Sequence, residues 1–179
     1  MRKIIGTINF DKGLVDITDP TYDRDLWCNQ RNVKIVAGKY RVVVETETIE
    51  IFGKRISKLW IQEIRKRHRT KWELLFDKIG VDSGMCGFYE SNNTKLVDTE
   101  KLYSAMENIK YPKVLFDKDG SLCGLKGITV SSGIGDGCYK VYAQKNANGE
   151  IVGLELDFDI LDYSARFIES LIKGGIVNE

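Results

Sequence analysis

The sequence predicts an α+β domain made mostly of antiparallel β-strands, arranged as a sandwich or an open barrel with one or two covering helices. Segments in which apolar and polar residues alternate, such as "YRVVVETETIEIF" (40–52), are typical of half-buried strands. Short turn sequences separate these segments, and helical segments do not alternate with them. Because this βαβ rhythm is missing, a doubly wound nucleotide-binding fold is disfavoured.

The first strands are expected to form a hairpin. "IIGTINF" and "LVDIT" flank Asp11-Lys12-Gly13, a turn whose glycine can adopt a positive φ. A similar turn recurs at Asp119-Gly120 within "VLFDKDGSLCGL". Two further strands, "RISKLWIQEI" and "KWELLFDKIGVDSG", are joined by the basic segment "RKRHRTK".

The last hairpin has the clearest pattern. In "CYKVYAQ", Tyr139, Val141 and Ala143 share one face, and the chain then turns at Asn148-Gly149. The return strand "IVGLELDF" places its apolar side chains on one face as well. On its other face, Glu155 and Asp157 form an acidic row with Asp159, which favours a solvent-facing surface over a metal site.

Two helices are predicted. In "DTEKLYSAMENIK" the apolar residues follow helical spacing, and Asp98 suits the N-cap. In the C-terminal segment "DYSARFIESLIKGG" (162–175), Asp162 can cap the start, an apolar stripe follows, and two glycines end the helix.

Composition indicates one globular domain, 1–179, with no global electrostatic partner. The net charge of +1 gives no field that would draw the molecule to nucleic acid or a membrane, so any such role needs a local patch. No segment approaches the roughly 20 apolar residues of a membrane span. The four cysteines are scattered without metal-binding spacing, which favours reduced thiols and a cytoplasmic location.

The single histidine and the absence of known catalytic motifs disfavour several kinds of enzyme. His68 is the only histidine and lies within a cationic run, a setting that suits neither a Ser-His-Asp nor a Cys-His pair. The usual zinc-hydrolase ligand sets need two or three histidines. No dinucleotide fingerprint, kinase signature or deaminase motif is present, so no cofactor is predicted.

The segment "VSSGIGDGCY" contains the most distinctive turn. Three glycines in five positions allow backbone conformations closed to other residues, and successive amides can form an anion-binding nest. In the functional interpretation, a phosphate or carboxylate binds there. In the structural one, the glycines form a sharp corner and the aspartate closes an Asx-turn. The candidate ligand-binding residues are Ser131, Ser132, Gly133, Gly135, Asp136, Gly137 and Tyr139.

A second glycine turn, "GVDSGMCGF", contributes Asp82 and Ser83. If both turns meet at one rim of the scaffold, Asp82 and Asp136 could bind a cation or share proton transfer. The alternative is that both aspartates serve only as turn and capping residues.

The basic run at 65–71 contributes Arg65, Arg67 and Arg69. One interpretation is a basic finger that closes on a phosphorylated ligand or touches nucleic acid. The other is a solvated loop whose charges suppress edge-strand pairing.

Taken together, these motifs resemble the bacterial and phage-borne family catalogued as domain of unknown function four-two-four-one. The matching residues are Asp19, Pro20, Gly38, Tyr40, Trp72, Glu73, Asp82, Gly84, Phe88, Gly133, Gly135, Asp136, Gly137 and Tyr139. One departure is Ile134, where the family often has a tryptophan. The family has no established activity, so the resemblance implies an outline and, for a phage-borne member, the host cytoplasm as its location.

The leading hypothesis is a non-catalytic protein that sequesters a small anionic ligand, a nucleotide or cyclic nucleotide immune signal, as a phage-type anti-defence protein would. A second hypothesis is a carboxylate- and metal-dependent phosphodiesterase or other hydrolase that uses Asp82 and Asp136. A third is a protein–protein immunity or inhibitor module. Nucleic-acid and membrane partners are not expected, and homo-oligomerisation through exposed sheet edges is left open.

Overall fold

The computed structural model describes residues 1–23, 26–65, 71–91 and 97–161, together with residues 165 and 169. The strands are β1 (Arg2–Phe10), β2 (Leu14–Thr18), β3 (Gln30–Lys34), β4 (Gly38–Ile49), β5 (Gly53–Glu63), β6 (Trp72–Val81), β7 (Met85–Glu90), β8 (Val114–Asp117), β9 (Gly127–Ser131), β10 (Gly137–Lys145) and β11 (Ile151–Asp157). A helix, α1 (Thr99–Glu107), lies between β7 and β8.

The strands form two antiparallel sheets. One has six strands in the order β1-β4-β5-β11-β10-β6, and the other has five in the order β3-β2-β7-β9-β8. Buried side chains from both sheets form one hydrophobic core, as Leu59 and Val141 of the first sheet and Phe88 and Ile128 of the second illustrate. The predicted antiparallel, strand-rich class is therefore confirmed, with two packed sheets rather than a closed barrel.

Alternation determines which side chains enter the core. On β10, Tyr139, Val141 and Ala143 are buried as predicted, and on β11 Leu154 and Leu156 face the same core. The two strands pair in antiparallel register, with Val141 opposite Leu156. The turn at Asp11-Lys12-Gly13 forms, since Gly13 has a φ of 61° and its amide donates to the Phe10 carbonyl. The predicted first hairpin is wrong, because β1 pairs with β4 in the six-stranded sheet, whereas β2 pairs with β3 and β7 in the other sheet.

The helix α1 begins where the sequence predicts. The Asp98 carboxylate caps it by accepting a hydrogen bond from the Lys101 amide at 3.1 Å. Leu102 and Met106 are buried in a small separate cluster with Met85, Leu115 and Cys123. The prediction of helices that cover a sheet is wrong for the described residues, because the two sheets already bury each other's inner faces.

The predicted C-terminal helix lies outside the described residues, apart from Ala165 and Glu169. In the part of the chain that is described, no helix has the length and apolar character needed to cross a bilayer. All four cysteines are free; three are buried and Cys138 is exposed.

Close approach of β7 and β9 requires a glycine at position 87. A β-carbon there would lie 1.8 Å from the Ile128 carbonyl oxygen, which belongs to the backbone of the neighbouring strand. We expect Gly87→Ala to lower the free energy of unfolding by at least about 3 kcal/mol, because two central strands must separate. Urea unfolding followed by circular dichroism measures this loss.

Gly53→Ala is the matched control. Gly53, unlike Gly87, has a positive φ, of 70°, but a β-carbon on it would meet nothing within 4 Å. Its cost is therefore limited to the left-handed backbone conformation, about 1 kcal/mol. Equal losses in the two variants would contradict the steric explanation.

Candidate functional site

The turn at 82–84 is organised around a buried carboxylate from elsewhere in the chain. Asp19 is fully buried directly after β2, and its Oδ2 accepts hydrogen bonds from the amides of Asp82 (3.0 Å) and Ser83 (2.8 Å). Its Oδ1 accepts from the Ser83 hydroxyl (2.8 Å) and from the amide and hydroxyl of Thr21. The anion bound by these amides is therefore the Asp19 carboxylate of the protein itself and not an external ligand.

The turn at 131–135 also uses its amides internally. The Ser132 amide donates to the Gly84 carbonyl at 2.9 Å, and the Gly135 amide donates to the Ser132 carbonyl at 2.7 Å. The Tyr139 hydroxyl donates to the Gly135 carbonyl at 2.6 Å. Gly133 has a φ of 52°, and a β-carbon on it would lie 2.9 Å from that of Phe158. Glycine is therefore needed at this corner because the backbone has a positive φ and because a side chain would collide with Phe158.

The two glycine turns nevertheless line one cavity. Its volume is about 250 Å³, and it lies where β5, β7 and β8 begin and β9 ends. Residues from both turns form one side of it, and β5, α1 and the segment before β8 supply the rest. The lining residues are Arg55, Ser83, Gly84, Met85, Tyr103, Met106, Glu107, Tyr111, Lys113, Ser131, Ser132, Gly133, Ile134 and Gly135.

Two cations flank an exposed tyrosine at this cavity. The Arg55 guanidinium lies 5.0 Å from the centre of the Tyr111 ring, and the Lys113 ammonium lies 5.3 Å from it. No carboxylate of the described residues forms a salt bridge with either cation. Glu107 contributes one negative charge to the lining. The cavity therefore combines an excess of positive charge with aromatic surface.

The other predicted site residues lie elsewhere. Asp136, Gly137 and Tyr139 line a second cavity of about 260 Å³ together with Asp159, and Ile134 lines both cavities. Asp82 lines neither cavity. It forms a hydrogen bond with Tyr22, whose pKa is raised by burial and by this bond.

Arg65, the first residue of the basic run, lies away from the candidate site. Arg65 pairs with Glu63 at 2.6 Å and donates to the Ala37 carbonyl, at the opposite end of β5 from Arg55. Arg67 and Arg69 lie outside the described residues. Within the described ranges, no three His, Cys, Asp or Glu side chains are grouped so that they could hold a metal ion.

Sequence reasoning missed Arg55, Tyr103, Tyr111 and Lys113, because each lies in a segment that by itself looks like ordinary surface. The segment "KYPK" (110–113), which links α1 to β8 with a tyrosine between two lysines, was the available signal.

No protein-family profile, curated protein or solved structure matches this chain. The resemblance to the family of unknown function stays a prediction.

Asp19→Asn tests the central carboxylate. The amide side chain has only one acceptor oxygen, and its NH₂ group would face N–H and O–H donors that now bind a carboxylate. We expect the free energy of unfolding to fall by about 3 kcal/mol, because buried donors lose a charged acceptor. For a domain of this size the melting temperature should drop by about 6–12 °C.

Asp77→Asn makes the same chemical change at an exposed position on β6 and should shift the melting temperature by less than about 2 °C. A similar small shift in Asp19→Asn would show that the turn does not depend on the carboxylate.

Proposed function

We propose that this protein binds a small anionic ligand, a nucleotide, in the cavity between the 82–84 and 131–135 turns, and holds it without chemical change. The observation that carries this proposal is the pair of cations around Tyr111, Arg55 and Lys113, which form no salt bridge with a described carboxylate and lie at a cavity bordered by both glycine turns. A phosphate can accept charge-assisted hydrogen bonds from both cations. Tyr103 and Tyr111 offer rings on which a base can stack.

The engaged backbone amides decide how the anion would be held. Because Asp19 already binds the amides of residues 82 and 83, the phosphate has to be bound by side chains rather than by a backbone nest. The Ser131 side-chain oxygen accepts a hydrogen bond from the Lys113 backbone amide at 3.2 Å, and both residues line the cavity.

The size of the cavity limits the ligand. About 250 Å³ lies just below the usual range for small-molecule sites, which begins at about 300 Å³. A mononucleotide fits this limit better than a cyclic dinucleotide does. The hydrolase alternative has less support, because Asp82 bonds to Tyr22 and lies outside this cavity.

Sequestration is the biological role we propose for this binding. A protein that holds a nucleotide signal tightly lowers its free concentration, as a phage-encoded anti-defence protein would. This role depends on the resemblance to a phage-borne family as well as on the cavity.

Thermal-shift screening with adenosine and guanosine monophosphates, their cyclic forms and inorganic phosphate tests the proposal. At a ligand concentration 100 times the dissociation constant, binding adds about 2.7 kcal/mol to the stability, which raises the melting temperature of a domain of this size by about 5–10 °C.

We expect Arg55→Ala and Lys113→Ala each to weaken nucleotide binding by about 10- to 100-fold, through loss of a charge-assisted hydrogen bond.

Lys54→Ala is the control, since it removes an exposed cation next to Arg55 that does not line the cavity. Its affinity should stay within about twofold of the unmodified protein. If no nucleotide stabilises the folded protein, or if Lys54→Ala weakens binding as much as Arg55→Ala does, the proposed site is wrong.

A further inference from the structure

The outer face of the six-stranded sheet carries an open groove that is separate from both cavities described above. Its volume is about 710 Å³, and it crosses the strands on the side away from the core. Three aromatic side chains from three strands line it: Trp60 on β5, Trp72 on β6 and Tyr142 on β10. No aromatic of this set belongs to the hydrophobic core.

Trp72 lies along the sheet rather than projecting from it. In the registers, Trp72 pairs with Gln144 on β10, and Gln144 pairs with Gly153 on β11, two strands from β6. A β-carbon on Gly153 would lie 2.8 Å from the Trp72 Cη2 atom. With strands about 4.8 Å apart, the indole has to lie nearly parallel to the sheet to reach that point. The end of the indole therefore lies over Gly153.

Trp60 offers a second ring on the other side of β11. It is directly opposite Glu155 in the register, and Glu155 is opposite Tyr142, so the two rings flank this carboxylate. The Arg2 guanidinium lies 5.1 Å from the centre of the Trp60 ring. The Arg2 side chain is 70% exposed, so a ligand can displace it, and its position shows that a planar group fits over this ring.

The charges of this face are nearly balanced within the face itself. The Lys58 ammonium lies 2.8 Å from carboxylate oxygens of both Glu155 and Asp157, and Arg2 pairs with Glu45 at 3.2 Å. Arg41 lines the groove, and within the described ranges it forms no salt bridge. The Gln62 and Gln144 side chains are hydrogen-bonded to each other at 2.6 Å and add neutral polar groups.

We infer that this groove binds a neutral oligosaccharide chain, independently of the nucleotide cavity. A pyranose ring has an apolar C–H face that packs on an aromatic ring, while its hydroxyl groups bond to carboxylate, amide and guanidinium side chains at the edge. The groove offers these features: aromatic side chains line it, Gly153 has no side chain to fill it, and hydrogen-bonded polar side chains lie beside the rings.

Two other occupants fit the groove less well. A single-stranded nucleic acid needs an excess of cations along its backbone, whereas here three cations (Arg2, Arg41 and Lys58) are balanced by three carboxylates (Glu45, Glu155 and Asp157). A second copy of the chain needs an apolar centre with a polar rim. This face lacks that pattern, since ion-paired side chains lie on the inner strands β5 and β11, and the most exposed aliphatic side chains, Ile4 (60%) and Leu74 (53%), lie on the two edge strands.

Calorimetric titration with neutral hexasaccharides of glucose, N-acetylglucosamine, xylose and mannose tests the inference. At least one of them should bind, and Trp72→Ala and Tyr142→Ala should each weaken that binding by about tenfold through loss of ring contact. Gly153→Ala should weaken it similarly, because the new methyl group lifts the Trp72 indole off the sheet.

Trp27→Ala is the matched control: it removes an 80% exposed tryptophan that does not line the groove, and it should leave saccharide affinity unchanged. Each variant is compared at equal folded fraction, measured by circular dichroism. The inference is overturned if no hexasaccharide binds the folded protein at millimolar concentration. It is also overturned if oligo(dT) binds in its place with strong salt dependence, or if sedimentation shows a dimer that Trp72→Ala dissociates.

Discussion

The buried carboxylate of Asp19 is the interaction on which the geometry of the candidate site depends. A carboxylate that is removed from water is stabilised only when hydrogen-bond donors replace the solvent. Asp19 meets this requirement with five donors drawn from Thr21, Asp82 and Ser83. In doing so it joins the end of β2 to the connection between β6 and β7, and it holds one wall of the cavity in place.

Two further aspartates bind donors of the five-stranded sheet in the same way. Asp117, at the end of β8, accepts hydrogen bonds from the amides of Gly120, Leu122 and Cys123 in the following loop. Asp16, within β2, accepts from Arg31 and from the Asn32 amide of β3, at a register shift between the two strands. Each carboxylate satisfies backbone or side-chain donors that a turn or an irregular strand would otherwise leave unpaired. The loops of this sheet are therefore shaped by internal anions.

This use of internal anions changes how a ligand can be recognised. Glycine-rich turns suggest a backbone nest, but here the protein's own groups occupy the amides, and the glycines provide close packing instead. Recognition then depends on side chains gathered from separate elements, Arg55 from β5 and Tyr111 and Lys113 from the approach to β8. The outer face of the six-stranded sheet is different, since its positive and negative charges balance and aromatic side chains line its groove. The two surfaces suit ligands of different charge.

By itself, the sequence determined the features that local physics controls. Alternation on β10 and β11, the turn at Asp11-Lys12-Gly13 and the Asp98 cap of α1 follow from side-chain periodicity and short-range hydrogen bonds, and all were predictable. The tertiary structure alone decided that β11 lies between β5 and β10, that Asp19 meets a turn 63 residues further on, and that Arg65 lies at the opposite end of β5 from the cavity. Those outcomes depend on packing between residues distant in the chain. A local pattern shows which side chains will be buried or charged, but it does not show which distant partners they will meet.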